Sequence, residues 1–167
     1  MKWTRKELEQ IGSPITFDED AVVEDSEFAG TVLIHGVKDV HVSGTGWLMD
    51  EEDRFACDMQ ISCKMICPDS ITGEDLEIPL ETESQEVYSF VDTDEEDVRV
   101  VKDEVIDLLP AVIDAIMLEV PISVTDADES EYPSGDGWVV MSEAEYQESR
   151  KDQIDPRLAK MKEFKNE

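Results

Sequence analysis

Apolar and polar residues alternate most regularly in the middle of the chain. Phe55, Cys57, Met59, Ile61, Cys63, Met65 and Cys67 hold one parity, and Arg54, Ala56, Asp58, Gln60, Ser62, Lys64 and Ile66 hold the other. Successive side chains of a strand point to opposite faces, so this period of two predicts a half-buried strand with the first set inside. Val40, Val42 and Leu48 share a parity just before it. Gly44 and Gly46 fall between them, where glycine signals a bulge or a close approach of another segment. Asp50 to Asp53 then reads as the hairpin turn. Leu76, Ile78 and Leu80 repeat the alternation after a turn at Pro68 to Gly73, as do Tyr88 and Phe90. Val98 and Val100 restart it after an acidic loop at Asp92 to Asp97. Thr31 to Ile34, Pro14 to Phe17 and Ile122 to Val124 read as further short strands. Asp18 to Glu27 reads as an acidic loop anchored by Val22 and Val23.

Helical signals lie towards the two ends. Thr4-Arg5-Lys6-Glu7 is a capping box, with Trp3 and Leu8 at the staple positions, so a short helix is predicted from Arg5 to about Gln10. Gly12-Ser13-Pro14 ends it. Asp107 reads as an N-cap with Pro110 in the first turn. Leu109, Val112, Ile113, Ile116 and Met117 give one apolar face to the helix that follows, and Pro121 stops it. Ser142-Glu143-Ala144-Glu145 is a second capping box opening a polar helix to about Lys151. Asp155-Pro156 starts a last one carrying Leu158, Met161 and Phe164. The fold class expected is α+β. A single domain over residues 1–150 is built on an antiparallel β-sheet with one packed helix near 108–120 and polar helices at both termini. Residues 151–167 form a mildly basic helix or tail.

Charge changes this picture more than composition does. The 167 residues carry a net charge of −29. Residues 8–149 hold 38 acidic and 5 basic side chains, a net of −33, while residues 1–7 and 150–167 are each +2. Such a surface repels nucleic-acid phosphates and anionic lipid and attracts basic proteins. No run approaches the roughly 18 apolar residues of a membrane helix. No apolar stretch follows the opening Met-Lys-Trp-Thr-Arg-Lys-Glu, so a secretory signal is not expected. With three cysteines and no such signal, a disulfide framework is not expected either, and a cytoplasmic location fits.

Candidate chemistry is sparse. Cys57, Cys63 and Cys67 share one face of one strand, and Cys63 and Cys67 would lie roughly 13 Å apart at strand rise, too far for a shared zinc or a disulfide. They read as buried thiols. His41 has the parity opposite to Val40 and Val42 and points to solvent; His35 stands at a strand end beside Gly36. Neither comes with a nucleophile motif. Asp126, Asp128 and Ser130 match the first spacings of a calcium loop, but Glu131 stands where that loop needs glycine. Asp92, Asp94 and Glu96 fail similarly at Asp97. No catalytic residue, metal or cofactor is expected.

The order of these elements resembles the YceD family. Met1-Lys2-Trp3, His41-Val42-Ser43-Gly44-Thr45, the strand ending in Cys67, Leu76-Glu77-Ile78-Pro79-Leu80, Ile106-Asp107-Leu108-Leu109-Pro110 and Ile116-Met117-Leu118-Glu119-Val120-Pro121 carry the likeness. Gly135-Asp136-Gly137-Trp138 and Asp155-Pro156-Arg157-Leu158-Ala159-Lys160 look like its Gram-positive branch. The resemblance implies a role in 23S ribosomal RNA accumulation and large-subunit assembly, with genes that commonly neighbour that of a large-subunit ribosomal protein. Many members have one cysteine pair before the helix and another after it. Here Cys63 and Cys67 stand near the first pair with altered spacing, and Thr125 to Gly137 has none, so no metal site carries over.

The expectation is a non-enzymatic factor that binds a basic ribosomal protein or a pre-ribosomal particle through its acidic middle, with Asp92, Asp94, Glu95, Glu96 and Asp97 as a contact. The alternative within the same process is direct RNA binding through the basic termini, where Arg157, Lys160, Lys162 and Lys165 lie. A hydrolase with an acidic site is the alternative of another class, and the missing nucleophile and base argue against it.

Overall fold

The structure is a computed structural model, and it describes residues 1–49 and 52–151. A five-stranded sheet carries the first unit, residues 1–124. Its strands are β2 (Ile15–Ala21), β3 (Gly36–Met49), β4 (Arg54–Pro68), β5 (Asp75–Ser89) and β6 (Val98–Val100), in that spatial order. All neighbours are antiparallel except β6, which runs parallel to β5. A separate two-stranded pair joins β1 (Lys2–Thr4) to β7 (Val105–Asp107). Two helices complete the unit, α1 (Arg5–Ile11) and α2 (Leu109–Leu118).

β4 fulfils its alternation completely. Phe55, Cys57, Met59, Ile61, Cys63, Met65 and Cys67 are all buried on the inner face. Full burial of such side chains stabilises by roughly 1.5–3 kcal/mol each before conformational entropy is counted. β3 meets β4 from Gly36↔Ile66 to Met49↔Arg54, with a register shift between Lys38 and His41 where Asp39 adopts φ 53°. Gly44 and Gly46 face inward, and aromatic rings occupy the space their side chains would take. A Cβ on Gly44 would stand 2.6 Å from Phe17 Cζ, and one on Gly46 would stand 2.7 Å from Phe55 Cε2. The glycines thus mark a close approach, while the bulge lies elsewhere.

The N-terminal helix forms as its capping box dictates. Thr4 Oγ1 accepts from the Glu7 N–H at 3.3 Å, and Glu7 Oε2 accepts from the Thr4 N–H at 2.8 Å. Leu8 is fully buried, and the half-buried Trp3 ring lies 5.7 Å from Phe17, centroid to centroid. In α2, Asp107 Oδ1 accepts from the Leu109 N–H at 3.1 Å, although Leu108 holds the cap position. The buried seam is Leu108, Ala111, Val112, Ala115 and Ile116. The expected face differed: Met117 is exposed and Leu109 and Ile113 are half-buried. Counting from Leu108 and admitting the alanines recovers the i, i+3, i+4, i+7, i+8 stripe that packs inward.

Several short elements depart from expectation. β2 continues through Asp18, Glu19 and Asp20, because pairing with β3 satisfies its backbone whatever the side chains are. β5 is one strand of fifteen residues, since β4 offers a full-length partner. Thr31 to Ile34 is irregular, with Ile34 buried as a single anchor and Val32 exposed. Ile122 to Val124 joins no sheet; Val124 instead accepts from the Ser70 N–H at 2.8 Å and donates to Ser70 Oγ at 3.2 Å. A 3₁₀ turn at Asp25–Phe28 buries Phe28.

Compactness divides the chain at Val124/Thr125, well before the boundary of 150/151 read from the sequence. Beyond it, Glu129–Glu131 forms a 3₁₀ turn capped by Asp128. A short hairpin pairs β8 (Ser134–Gly135) with β9 (Trp138–Val139), and α3 (Glu143–Lys151) opens on Ser142. Ser142 Oγ accepts from the Glu145 N–H at 3.2 Å, as the second capping box requires. Almost every side chain from 125 to 150 is at least partly exposed, so the core stops at the first unit. The hairpin residues Asp50 and Glu51 and the last expected helix, from Asp155, lie outside the described residues.

Candidate functional site

The sheet has two unlike faces. α2 packs on the inner one, where the core collects. The outer face carries the polar parity of each strand: Thr16, Asp18 and Asp20 on β2, His41, Ser43, Thr45 and Trp47 on β3, Asp58, Gln60 and Ser62 on β4, and Glu81, Glu83 and Gln85 on β5. A groove of about 700 Å³ crosses it, bordered by Asp18, Trp47, Asp58 and Glu83. A second hollow of about 500 Å³ shares Ser43, Gln60 and Glu83 with it and reaches His41 and Glu81. Trp47 is 38 % exposed beside the glycines of β3.

The charges of the face are unevenly neutralised. Lys38 binds Glu77 and Lys64 binds Asp39, both at 2.8 Å, at the end of the sheet where β3 begins. Around the groove, His41 Nδ1 lies 2.9 Å from Asp20 and Nε2 lies 3.4 Å from Asp18. The hydrogen bond to Asp20 raises the imidazole pKa; burial opposes it, and the charges of Asp18 and Asp20 add to the rise. Among the described residues no Lys or Arg pairs with Asp58, Glu81 or Glu83, which leaves the groove anionic.

Asp92, Asp94, Glu95, Glu96 and Asp97 sit together in the exposed loop between β5 and β6. Glu95 is held by Arg54 and by Thr93 Oγ1, which donates to it at 3.4 Å. The hydrogen bond from Arg54 keeps the Glu95 carboxyl below its ordinary pKa. Glu95 is thus an internal anchor, and the other four carboxylates project from the loop it secures. Arg5 stands close by, 2.7 Å from Asp53 and 5.0 Å above the Phe90 ring. Arg157, Lys160, Lys162 and Lys165 lie outside the described residues.

The three cysteines are buried free thiols. Burial pushes Cys57 up to about 12 and Cys63 up to about 11, and it raises Cys67 as well. A thiol so raised is a poor nucleophile and a poor metal ligand at neutral pH. Among the described residues no three His, Cys, Asp or Glu converge to hold a metal ion. Asp128 accepts from the Ser130 N–H at 3.0 Å as a local cap. His35 Nδ1 lies 2.7 Å from Asp75 on the surface. No helix among the described residues is long and apolar enough to cross a membrane.

A family model described as "Large ribosomal RNA subunit accumulation protein YceD" matches residues 55–165. The chain belongs to the YceD family. It is also 34% identical over 167 residues to "Uncharacterized protein YlbN" of Bacillus subtilis (strain 168), covering 95% of this chain and 93% of that one. No solved structure matches. The stretch that matches the YceD model begins at Phe55 and takes in β4, β5, the acidic loop, β7 and α2, so Asp58, Gln60, Glu81 and Glu83 fall inside it. Trp47 and Asp18 precede it and lie on the strands that widen the outer face.

The acidic loop is legible in the sequence as a run of carboxylates, and the groove is not. The polar parity of β4 was legible, but Glu81 and Glu83 become its neighbours through the register Ile61↔Thr82 of β4 with β5. Asp18 and Asp20 read as loop residues in the sequence, which hides their position opposite Ser43 and His41.

Proposed function

We propose that the protein is a non-enzymatic factor in large-subunit ribosomal RNA accumulation that acts by binding a basic ribosomal protein. The observation that carries this reading is the fate of its cations. Of the five basic side chains in residues 8–149, Lys38, Arg54, Lys64 and Arg99 are ion-paired within the fold. Their charge is cancelled locally, Lys102 is exposed, and the rest of the exposed charge in this stretch is overwhelmingly carboxylate. A surface of that kind attracts polycations and repels phosphate. Ribosomal proteins free of RNA are strongly basic, so an acidic escort shields them until they are placed on RNA. The family description supplies the process, and the charge supplies the class of partner. The cytoplasm, where ribosomes are assembled, is the proposed location.

The test is a titration of the full-length protein against naked 23S RNA and against basic large-subunit proteins at near-physiological salt. Binding to a ribosomal protein, weakened as the screening length falls from about 10 Å at 0.1 M to about 3 Å at 1 M salt, is expected. Tight binding to RNA with none to any ribosomal protein would overturn the proposal and favour the basic termini. Charge reversal at Asp92, Asp94, Glu96 and Asp97 tests whether the loop belongs to the contact.

A further inference from the structure

Among the described residues of the first unit no helix packs on the outer face of the sheet, which has its own shape and charge. From it we infer that the groove across β2–β5 is the seat of an extended, arginine-bearing segment of a basic protein. The inference rests on the function proposed above and gives that function a surface other than the acidic loop.

Four observations combine. The groove is about 700 Å³ in volume, and a second hollow of about 500 Å³ continues it through Ser43, Gln60 and Glu83, so that the two together cross four strands, roughly 14 Å at the spacing of neighbouring strands. Asp18, Asp58, Glu81 and Glu83 stand along it, and the two lysines of the same face are already paired with Glu77 and Asp39 at its far end. Thr16, Ser43, Thr45, Gln60 and Ser62 can donate and accept hydrogen bonds without adding charge, and the His41 imidazole at its edge is already engaged by Asp20 and Asp18, which leaves Asp58, Glu81 and Glu83 without a cation among the described residues. Trp47 presents an exposed indole at one end of the groove, one row along the sheet from Asp58.

An aromatic ring beside carboxylates suits a guanidinium better than an ammonium. Guanidinium is planar, stacks on the ring and bonds two carboxylate oxygens at once, while an ammonium is compact and strongly hydrated. Nucleic acid fits poorly, because phosphates would meet unpaired carboxylates. An acidic or apolar peptide would leave those charges without partners.

The experiment uses the full chain and a fluorescent probe peptide of about twelve residues built from arginine, glycine and serine, read by anisotropy at near-physiological salt. Three variants are compared: Asp58→Asn with Glu83→Gln, Trp47→Ala, and Asp92→Asn with Asp94→Asn. Circular dichroism melts establish that each is folded. Neutralising the groove should weaken binding about tenfold or more, since two close charge pairs are lost. Trp47→Ala should weaken it about 2- to 5-fold, the worth of an exposed cation–π contact. The loop variant should stay within about twofold of wild type, and a lysine probe should bind wild type about 2- to 5-fold more weakly than the arginine probe. Unchanged binding in the groove variant, or equal losses in groove and loop variants, would overturn the inference while leaving the acidic escort standing. If wild type bound neither the probe nor any basic ribosomal protein, the escort itself would fall.

Discussion

Arg99 on β6 joins two elements that the sheet alone does not hold together, and its removal should loosen α2. Its Nε donates to Glu86 Oε2 on β5 at 2.7 Å, and its Nη2 donates to Asp114 Oδ2 on α2 at 2.8 Å. The two partners differ in burial: the Glu86 side chain is 15 % exposed and that of Asp114 is 60 % exposed. Burial opposes the guanidinium charge, yet the hydrogen bonds to Glu86 and Asp114 outweigh it and raise the Arg99 pKa. A hydrogen bond involving a charged group contributes about 1.5–3 kcal/mol where water is largely excluded, whereas an exposed pair contributes about 0.2–1 kcal/mol. Arg99→Met keeps the aliphatic stem and should cost roughly 2–4 kcal/mol, most of it from the Glu86 carboxylate, which loses its cation and keeps only the hydrogen bond from Ser84 Oγ. Double-mutant cycles with Glu86→Gln and Asp114→Asn separate the arms. Urea unfolding should give a coupling of about 1.5–3 kcal/mol for Arg99–Glu86 and under about 1 kcal/mol for Arg99–Asp114. At about 1 M salt the second should vanish and most of the first should survive, because partly buried pairs are screened less. Equal couplings, or a loss below about 0.5 kcal/mol for Arg99→Met, would refute the claim that burial of Glu86 decides the strength of this link.

Two further predictions concern the core and the first helix. Cys57, Cys63 and Cys67 should resist a thiol reagent at about pH 8 in the native protein and react together after denaturation, because burial and raised pKa both suppress the thiolate; rapid native labelling of Cys57, or near-stoichiometric zinc lost on Cys63→Ser, would contradict this. Thr4→Ala should cost about 0.5–2 kcal/mol by urea unfolding. The Glu7 carboxyl has its pKa lowered by its hydrogen bonds with the Thr4 backbone and side chain. Its contribution is therefore full above the unfolded-state pKa and lost as pH falls through the lower folded one, so the gap between wild type and Thr4→Ala should shrink in acid.

The local grammar of the chain settled its regular elements. Fourteen alternating positions could serve only one half-buried strand, and β4 is that strand, with all seven inner residues buried. Thr4 and Glu7 satisfy each other's backbone donors within one turn, so α1 needed no distant partner to begin. The charge excess and the family likeness were also legible without coordinates. What lay between distant segments was decided by tertiary structure. Lys2–Thr4 and Val105–Asp107 are three-residue strands that exist because they pair across a hundred residues, and neither carries a pattern long enough to read. Thr31 to Ile34 has strand-like residues but no edge to join, so one buried isoleucine is all it contributes. Asp18 and Asp20 look like loop residues, yet β3 supplies their backbone partners and their side chains turn to the outer face. The groove belongs to this second class. Its carboxylates come from β2, β4 and β5, and registers across three strand pairs set them side by side on one face, with Trp47 at the end next to Asp58. Period-two patterning tells which way a side chain points, but its neighbour on the next strand depends on hydrogen-bonded register, which is a property of the assembled sheet.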